Sequence, residues 1–172
     1  MNAKQALKEQ IDMSRAFLDG TLADVTDEQC HHKPGGEAHP IGATYGHLAT
    51  AEDQIVNGVV RGATPLMMGE WAGKTGLSEP PPAPGGDLLG WSNRVVVDIP
   101  ALREYTRAVR DATDAYLDSL SDDDIGAEKE VPGFGKHPLI WYLGLAAAIH
   151  PANHCGEIAA LKGILGAKGY PF

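Results

Sequence analysis

Apolar residues recur every three or four positions in four long stretches of the chain, which is the spacing of amphipathic helices. In the first stretch, Leu7, Ile11 and Leu18 share one face with Ser14 and Leu22. The pattern predicts helix one over Ala3–Leu22, helix two from Pro40 to about Val60, helix three from Ile99 through Leu120 and helix four from near Pro138 to about Leu165. No run alternates as a strand would, and "SDDDIGAEKEVPGFGKHP" is predicted to be a solvated turn. The sequence therefore predicts an all-α fold, an antiparallel four-helix bundle.

A long segment rich in proline and glycine, residues 63–97, separates helices two and three. Loops of this length are usually functional covers or disordered. Because the segment carries several large apolar side chains, we predict an ordered cover that is irregular or only locally helical. We expect Trp71 and Trp91 to help enclose a substrate pocket.

Composition excludes several classes of protein. The 172 residues fit one domain spanning 1–172, and 14 basic against 23 acidic side chains give a net charge of -9, which repels nucleic acid. The longest weakly charged run, Pro138 to Ile149, is shorter than the ~20 residues that cross a bilayer, so no membrane span is predicted. With only Cys30 and Cys155, and with charges throughout the first residues, we expect a cytoplasmic protein.

Two histidines four residues apart stand in the otherwise apolar helix four. Residues four apart project from one face of a helix, so His150 and His154 are suited to share a metal ion. A third imidazole, His47, lies among small residues on the predicted inner face of helix two. Three neutral imidazoles leave a coordination position open, as catalytic metal sites do. The residues therefore predict a transition-metal site between two helices.

The neighbours of these histidines have weaker claims to chemistry. Glu157, one turn after His154, can orient an imidazole, act as a fourth ligand or serve as a catalytic base, and we favour the orienting role. Pro151 removes a helical amide, and we expect a kink that keeps His150 and His154 close together. If a new helix starts at Pro151 instead, His150 becomes a cap residue and the case for a shared metal ion is weaker. Cys155 points about 100° away from His154 and is predicted to be a small buried residue.

Four other histidines are left out of the predicted site. We expect those of the polar segment before helix two to be exposed to solvent, and the fourth to lie at the start of helix four. They are His31, His32, His39 and His137.

The segments "GHLATAEDQIV" around His47 and "AIHPANHCGEIAALKGILG" around His150 and His154 resemble the DinB-like superfamily of metal-binding four-helix bundles. The most specific part is H-x-x-x-H-x-G-E-I combined with one histidine early in helix two. The resemblance implies that His47, His150 and His154 are ligands of a divalent metal ion, commonly zinc or nickel. Members of known activity include transferases and isomerases that use bacterial thiols such as mycothiol and bacillithiol, activated by the metal.

The leading functional hypothesis is therefore a metal-dependent enzyme that activates a low-molecular-weight thiol for attack on a small electrophilic substrate. A second hypothesis is a hydrolase in which water attacks, with Glu157 or Glu52 as base. The third is a metal-stabilised binding or stress-response module without catalysis. We also expect a homodimer, because bundles of this kind readily bury helix faces between copies.

Overall fold

Most of the chain is helical in a computed structural model that describes residues 2–172. The α-helices are α1 (Ala3–Leu22), α2 (Asp27–His31), α3 (Ile41–Glu52), α4 (Leu88–Ser92), α5 (Ile99–Ser119), α6 (Asp122–Gly126), α7 (Leu139–Gly144) and α8 (His150–Ile164). A π-helical segment, Asp53–Val60, continues α3, and a second, Leu145–Ile149, joins α7 to α8. The four predicted helical stretches are thus all present. The predicted all-α class holds except for one small sheet.

Helix α1 has the amphipathic character that its sequence predicts. Its amino end is capped by Asn2, whose side-chain oxygen accepts a hydrogen bond of 2.9 Å from the amide of Gln5. The predicted inner face, from Leu7 to Leu22, is buried against α8 and the π-helical segment that precedes it. Burial of such a stripe, rather than intrinsic propensity, provides most of the stability of a helix.

Helix α5 also begins where its sequence predicts. The carboxylate of Asp98 accepts a hydrogen bond of 3.1 Å from the amide of Ala101, and Pro100 occupies the first turn, where no amide is needed. Its buried face packs against α3, and α3 in turn packs against α8. These contacts bring helix two of the sequence next to helix four.

The segment before helix four, predicted to be a solvated turn, contains the short helix α6 and a β-hairpin. Strands β1 (Glu128–Val131) and β2 (Gly135–Pro138) pair antiparallel, with Val131 opposite Gly135. The strands have only four residues each and little alternation, so their sequence gives no strand signal. Tertiary contacts stabilise the hairpin: Val131 is buried, and the Tyr142 hydroxyl lies 2.9 Å from the carbonyl oxygen of Lys129 and 2.5 Å from that of Gly135.

Residues 63–97 are ordered on the helical core and only locally helical, as the sequence predicts. A 3₁₀ turn, Leu66–Met68, and α4 are their helical parts, and Leu77 forms an isolated β-bridge with Val97. Gly76 has a φ of 79°, and a Cβ atom there would lie 2.4 Å from the backbone nitrogen of Leu102. This glycine allows the segment to lie directly against the first turns of α5.

Asp53 attaches the start of this segment to the helices. Its carboxylate is fully buried and accepts four hydrogen bonds, from the Asn57 side chain, from the Leu66 and Met67 amides at 2.9 Å each, and from the Tyr105 hydroxyl at 2.8 Å. A buried carboxylate is stable only when it is satisfied in this way.

Among the helices formed by residues 2–172, none has the combined length and apolarity to cross a lipid bilayer.

Candidate metal centre

Three imidazole rings from two helices meet at one point. His150 begins α8, His154 follows one turn later, and His47 lies in α3. The Nε2 atom of His150 is 3.2 Å from Nε2 of His47 and 3.0 Å from Nε2 of His154. Two nitrogen ligands of one ion, each about 2.05 Å from it, are separated by about 2.9 Å in octahedral geometry and about 3.3 Å in tetrahedral geometry. The spacing is therefore that of ligands of a single ion.

Hydrogen bonding among the three rings cannot satisfy all of these nitrogens. In a neutral imidazole each ring nitrogen carries either one proton or one lone pair in the ring plane. Nε2 of His150 has two imidazole nitrogens at hydrogen-bond distance and can form a well-aligned bond with only one of them. A cation accepts three lone pairs at once, so the donor set fits a metal ion better than a hydrogen-bonded cluster.

Glu157 holds the ring of His154 from its outer side. Its Oε2 atom is 2.6 Å from Nδ1 of His154. The carboxylate accepts the Nδ1 proton, which leaves the Nε2 lone pair of His154 directed at the other two rings. Glu157 is therefore placed to orient the ring of His154, and its carboxylate contacts the ring nitrogen that faces away from the other two imidazoles.

The surroundings of the cluster favour neutral imidazoles. Burial lowers the pKa of His47 to about 4, with the charge of His154 as a secondary cause. Burial lowers the pKa of His150 to about 3, with smaller effects from His154 and His47. Because metal ions bind the deprotonated ring nitrogen, both side chains are in the binding form at neutral pH.

Pro151 is accommodated without ending the helix between the two histidines of α8. Ile149 keeps helical backbone angles, and the amide of His150 donates to the carbonyl of Leu145, five residues back, in the π-helical pattern. The wider turn precedes Pro151, whose missing amide would interrupt a regular α-helix. The predicted proximity of His150 and His154 is confirmed.

The first π-helical segment, Asp53–Val60, begins six residues after His47. Such segments are rare and often occur at functional sites. Here the two π-helical segments flank a cavity of about 470 Å³ that reaches the rings of His47 and His150. Its remaining wall comes from residues 81–86 and from the turn of the β-hairpin, which includes Phe134.

This cavity corrects the expectation for the two tryptophans. Neither Trp71 nor Trp91 is among the residues that line it. The Trp71 ring packs against Tyr105 with centroids 5.8 Å apart, whereas Trp91 is 1% exposed and lines a small cavity of about 40 Å³ beside His47 and His154. The run of prolines and glycines at 81–86 is the sequence feature that could have predicted this wall of the cavity.

The histidines left out of the predicted site do lie outside the cluster, but only His32 is exposed to solvent. Nε2 of His31 accepts a hydrogen bond of 3.0 Å from the amide of Val97, and Nδ1 of His39 is 2.8 Å from the hydroxyl of Ser92. Both are half-buried, so the expected exposure is wrong for these two. They hold the polar segment onto the end of α4 and the chain that follows it.

His137 was expected at the start of helix four, but it lies in β2. Its ring stacks on Trp141, with centroids 4.0 Å apart and an angle of 14° between the ring planes.

Glu52, an alternative base in the sequence interpretation, is committed elsewhere. Its carboxylate pairs with the guanidinium of Arg15 at 3.0 Å, and both side chains are buried. Arg15 also binds Asp114 at 2.8 Å. An ion pair of this kind fixes α1 to α3 and takes no part in the imidazole cluster.

Cys155 is buried, as predicted, with its sulfur 3.3 Å from the hydroxyl of Thr21.

Fold and site together define a mostly helical protein whose three converging histidines can hold one metal ion. The model of the DinB superfamily matches residues 10–158, and the chain belongs to this superfamily, which is metal-binding. The chain is also similar to a conserved protein from Enterococcus faecalis, with a TM-score of 0.80 and 19% identity over 96% of this chain and 99% of that one. At this identity the likeness establishes the fold alone. No curated protein matches the chain.

Proposed function

We propose that Nε2 of His47, His150 and His154 binds one divalent metal ion, zinc or nickel, in a metal-dependent enzyme. The proposed reaction is attack of a low-molecular-weight thiol on a small electrophilic substrate, in an antiparallel four-helix bundle built from the four long helical stretches. A divalent ion supplies Lewis acidity, which lowers the pKa of a bound thiol or water and so provides a nucleophile at neutral pH.

The observation that carries the proposal is the convergence of three imidazoles beside a cavity. Structural zinc sites are normally closed by four protein ligands, whereas catalytic sites keep three and leave one position for substrate. Among residues 2–172, the cluster of metal-ligating side chains around these histidines has three members. The adjoining cavity of about 470 Å³ falls in the range of small-molecule sites, roughly 300–1,000 Å³.

In this proposal the protein's own residues orient the imidazoles and shield the cavity from water. Glu157, a candidate catalytic residue from sequence, acts as a positioning residue because its carboxylate contacts the outer nitrogen of His154. Residues 81–86 cover one side of the cavity and limit the access of water to it. Low polarity around the site strengthens electrostatic interactions within it.

The test is an activity screen of chain loaded with zinc or with nickel. A panel of electrophiles is incubated with mycothiol, bacillithiol and simple thiols, and consumption of the electrophile is followed with and without a chelator. We expect chelator-sensitive consumption that His47→Ala abolishes and that His32→Ala, an exposed histidine outside the cluster, retains. Turnover that needs the metal but no thiol would instead support the hydrolase. Absence of metal-dependent turnover in every pairing would contradict the proposed enzyme and leave a binding module.

A homodimer is part of the proposal. Met13 and Phe17, four residues apart on α1, are 55% and 41% exposed, and the Phe172 ring, 76% exposed, lies 5.5 Å from that of Phe17. Contiguous exposed apolar side chains of this kind are typical of interaction surfaces. Sedimentation equilibrium should show a dimer that Phe17→Asp converts to a monomer. A monomer at all concentrations would refute the dimer.

A further inference from the structure

The cavity beside the histidines has no full charge on its walls. Seventeen residues line it, and none is Asp, Glu, Lys or Arg. Ile55 and Val59 of the first π-helical segment, Leu145 of the second and Phe134 of the hairpin provide side chains that are entirely apolar. Apart from the imidazoles, the polar side chains are Thr50 and Gln54.

These two polar side chains already have partners within the protein. The Thr50 hydroxyl donates to the backbone, with the carbonyl oxygen of Gly46 at 2.8 Å and that of His47 at 3.1 Å. The Gln54 amide nitrogen is 3.5 Å from the sulfur of Met67. Gln54 keeps one further N–H, but it is a neutral donor, whereas a carboxylate or a phosphate is bound most strongly by charged donors.

The loop wall also offers few backbone donors. Of residues 81–86, Pro81, Pro82 and Pro84 have no amide hydrogen. The amide of Gly86 donates to the carbonyl of Ala83 at 2.9 Å. This leaves the amides of Ala83 and Gly85 as the remaining donors of the run, so an anionic group that entered this cavity would lose its water and gain few compensating hydrogen bonds, which is unfavourable.

We infer that the cavity takes an uncharged, largely apolar group of the substrate, aromatic or aliphatic, with the polar reacting end directed at His47 and His150. The position of the reacting end rests on the proposed function, whereas the apolar character of the bound group rests on the cavity walls. It follows that the charged arms of an acidic thiol are excluded from this cavity. The cavity holds the apolar body of the electrophile.

The test compares two probes that share a thiol and differ in the rest of the molecule. Zinc-loaded chain is titrated by calorimetry with 2-phenylethanethiol and with 3-mercaptopropionate. Burial of the phenyl ring against apolar walls should make the first bind at least about tenfold more tightly. Equal affinity, or tighter binding of the carboxylate, would overturn the inference.

A matched pair of variants places a positive charge inside and outside the cavity. Val59 lines it and is 41% exposed, whereas Val96 is 62% exposed and lies outside it. We expect Val59→Lys to reduce the preference for the phenyl probe by about tenfold, because the ammonium group favours the carboxylate, and Val96→Lys to leave the preference unchanged. An equal effect of both variants, or no effect of Val59→Lys, would contradict the assignment of this cavity.

A thiol-free pair separates this inference from the proposed function. If neither thiol binds the zinc-loaded chain, the proposed function fails. The cavity is then tested with 2-phenylethanol and 3-hydroxypropionate by methyl NMR shifts of Ile55, Val59 and Leu145. Shifts with the phenyl compound alone support the inference. Shifts with both compounds, with neither, or with the carboxylate alone overturn it.

Discussion

The contact between Glu157 and His154 gives a quantitative prediction for metal affinity. The carboxylate accepts the Nδ1 proton of His154 at 2.6 Å and so directs Nε2 at the site proposed for the metal ion. Loss of a hydrogen-bonded partner of a metal-ligating histidine typically lowers metal affinity 10–100-fold. Because the Glu157 side chain is 56% exposed, solvent screens part of its effect, and we expect Glu157→Ala to lie near the low end, at about tenfold or about 1.4 kcal/mol.

The assay is competition for zinc against a chromophoric chelator at neutral pH. Glu157→Gln, which keeps a hydrogen-bond acceptor without its charge, should fall between the unaltered chain and Glu157→Ala. Glu104→Ala removes an exposed glutamate from α5, far along the sequence from the cluster, and should not change zinc affinity. Affinity of Glu157→Ala equal to that of the unaltered chain would refute the argument that this carboxylate orients His154 for metal binding.

Three further predictions concern stability and reactivity. Asp53→Ala should lower the free energy of unfolding in urea by at least about 3 kcal/mol, because buried donors such as the Tyr105 hydroxyl lose their acceptor; a loss below about 1 kcal/mol would contradict this. Gly76→Ala should lower the melting temperature more than Gly73→Ala, since both have positive φ but only Gly76 faces a backbone collision, at 2.4 Å from Leu102; equal shifts would argue against the close approach. Burial raises the pKa of the Cys30 thiol to about 11, so Cys30 should resist a thiol reagent at pH 8 in the native chain and react in denaturant. Rapid labelling of Cys30 in the native chain, located by mass spectrometry, would refute its burial.

Local periodicity predicted the parts of the fold that depend on neighbours in sequence. The spacing from Leu7 to Leu22 identified α1 and its buried face, and Asp98 with Pro100 identified the start of α5. The spacing of His150 and His154 predicted their common face for the same reason. The pairing with His47 required a further assumption, that helices two and four are neighbours, and the packing of α3 on α8 agrees with it.

The features that sequence reasoning missed leave no signal in the local pattern of apolar and polar residues. The β-hairpin has short strands with little alternation, and it is stabilised by the burial of Val131 and by the Tyr142 hydroxyl of α7. The π-helical segments add one residue to a turn, which no simple periodicity predicts. Trp91 was expected at the substrate pocket, but it is buried in the core, and residues 81–86 line the cavity instead.

The central claim, that three imidazoles hold one metal ion, is tested most directly by elemental analysis of chain purified without an affinity tag. We predict about one equivalent of zinc or nickel for each site in the unaltered chain and in His32→Ala. We predict its loss in His47→Ala, His150→Ala and His154→Ala, each checked for folding by circular dichroism. A folded His47→Ala or His154→Ala chain that retains a full equivalent of metal, or an unaltered chain that binds none when metal is supplied, would contradict the account.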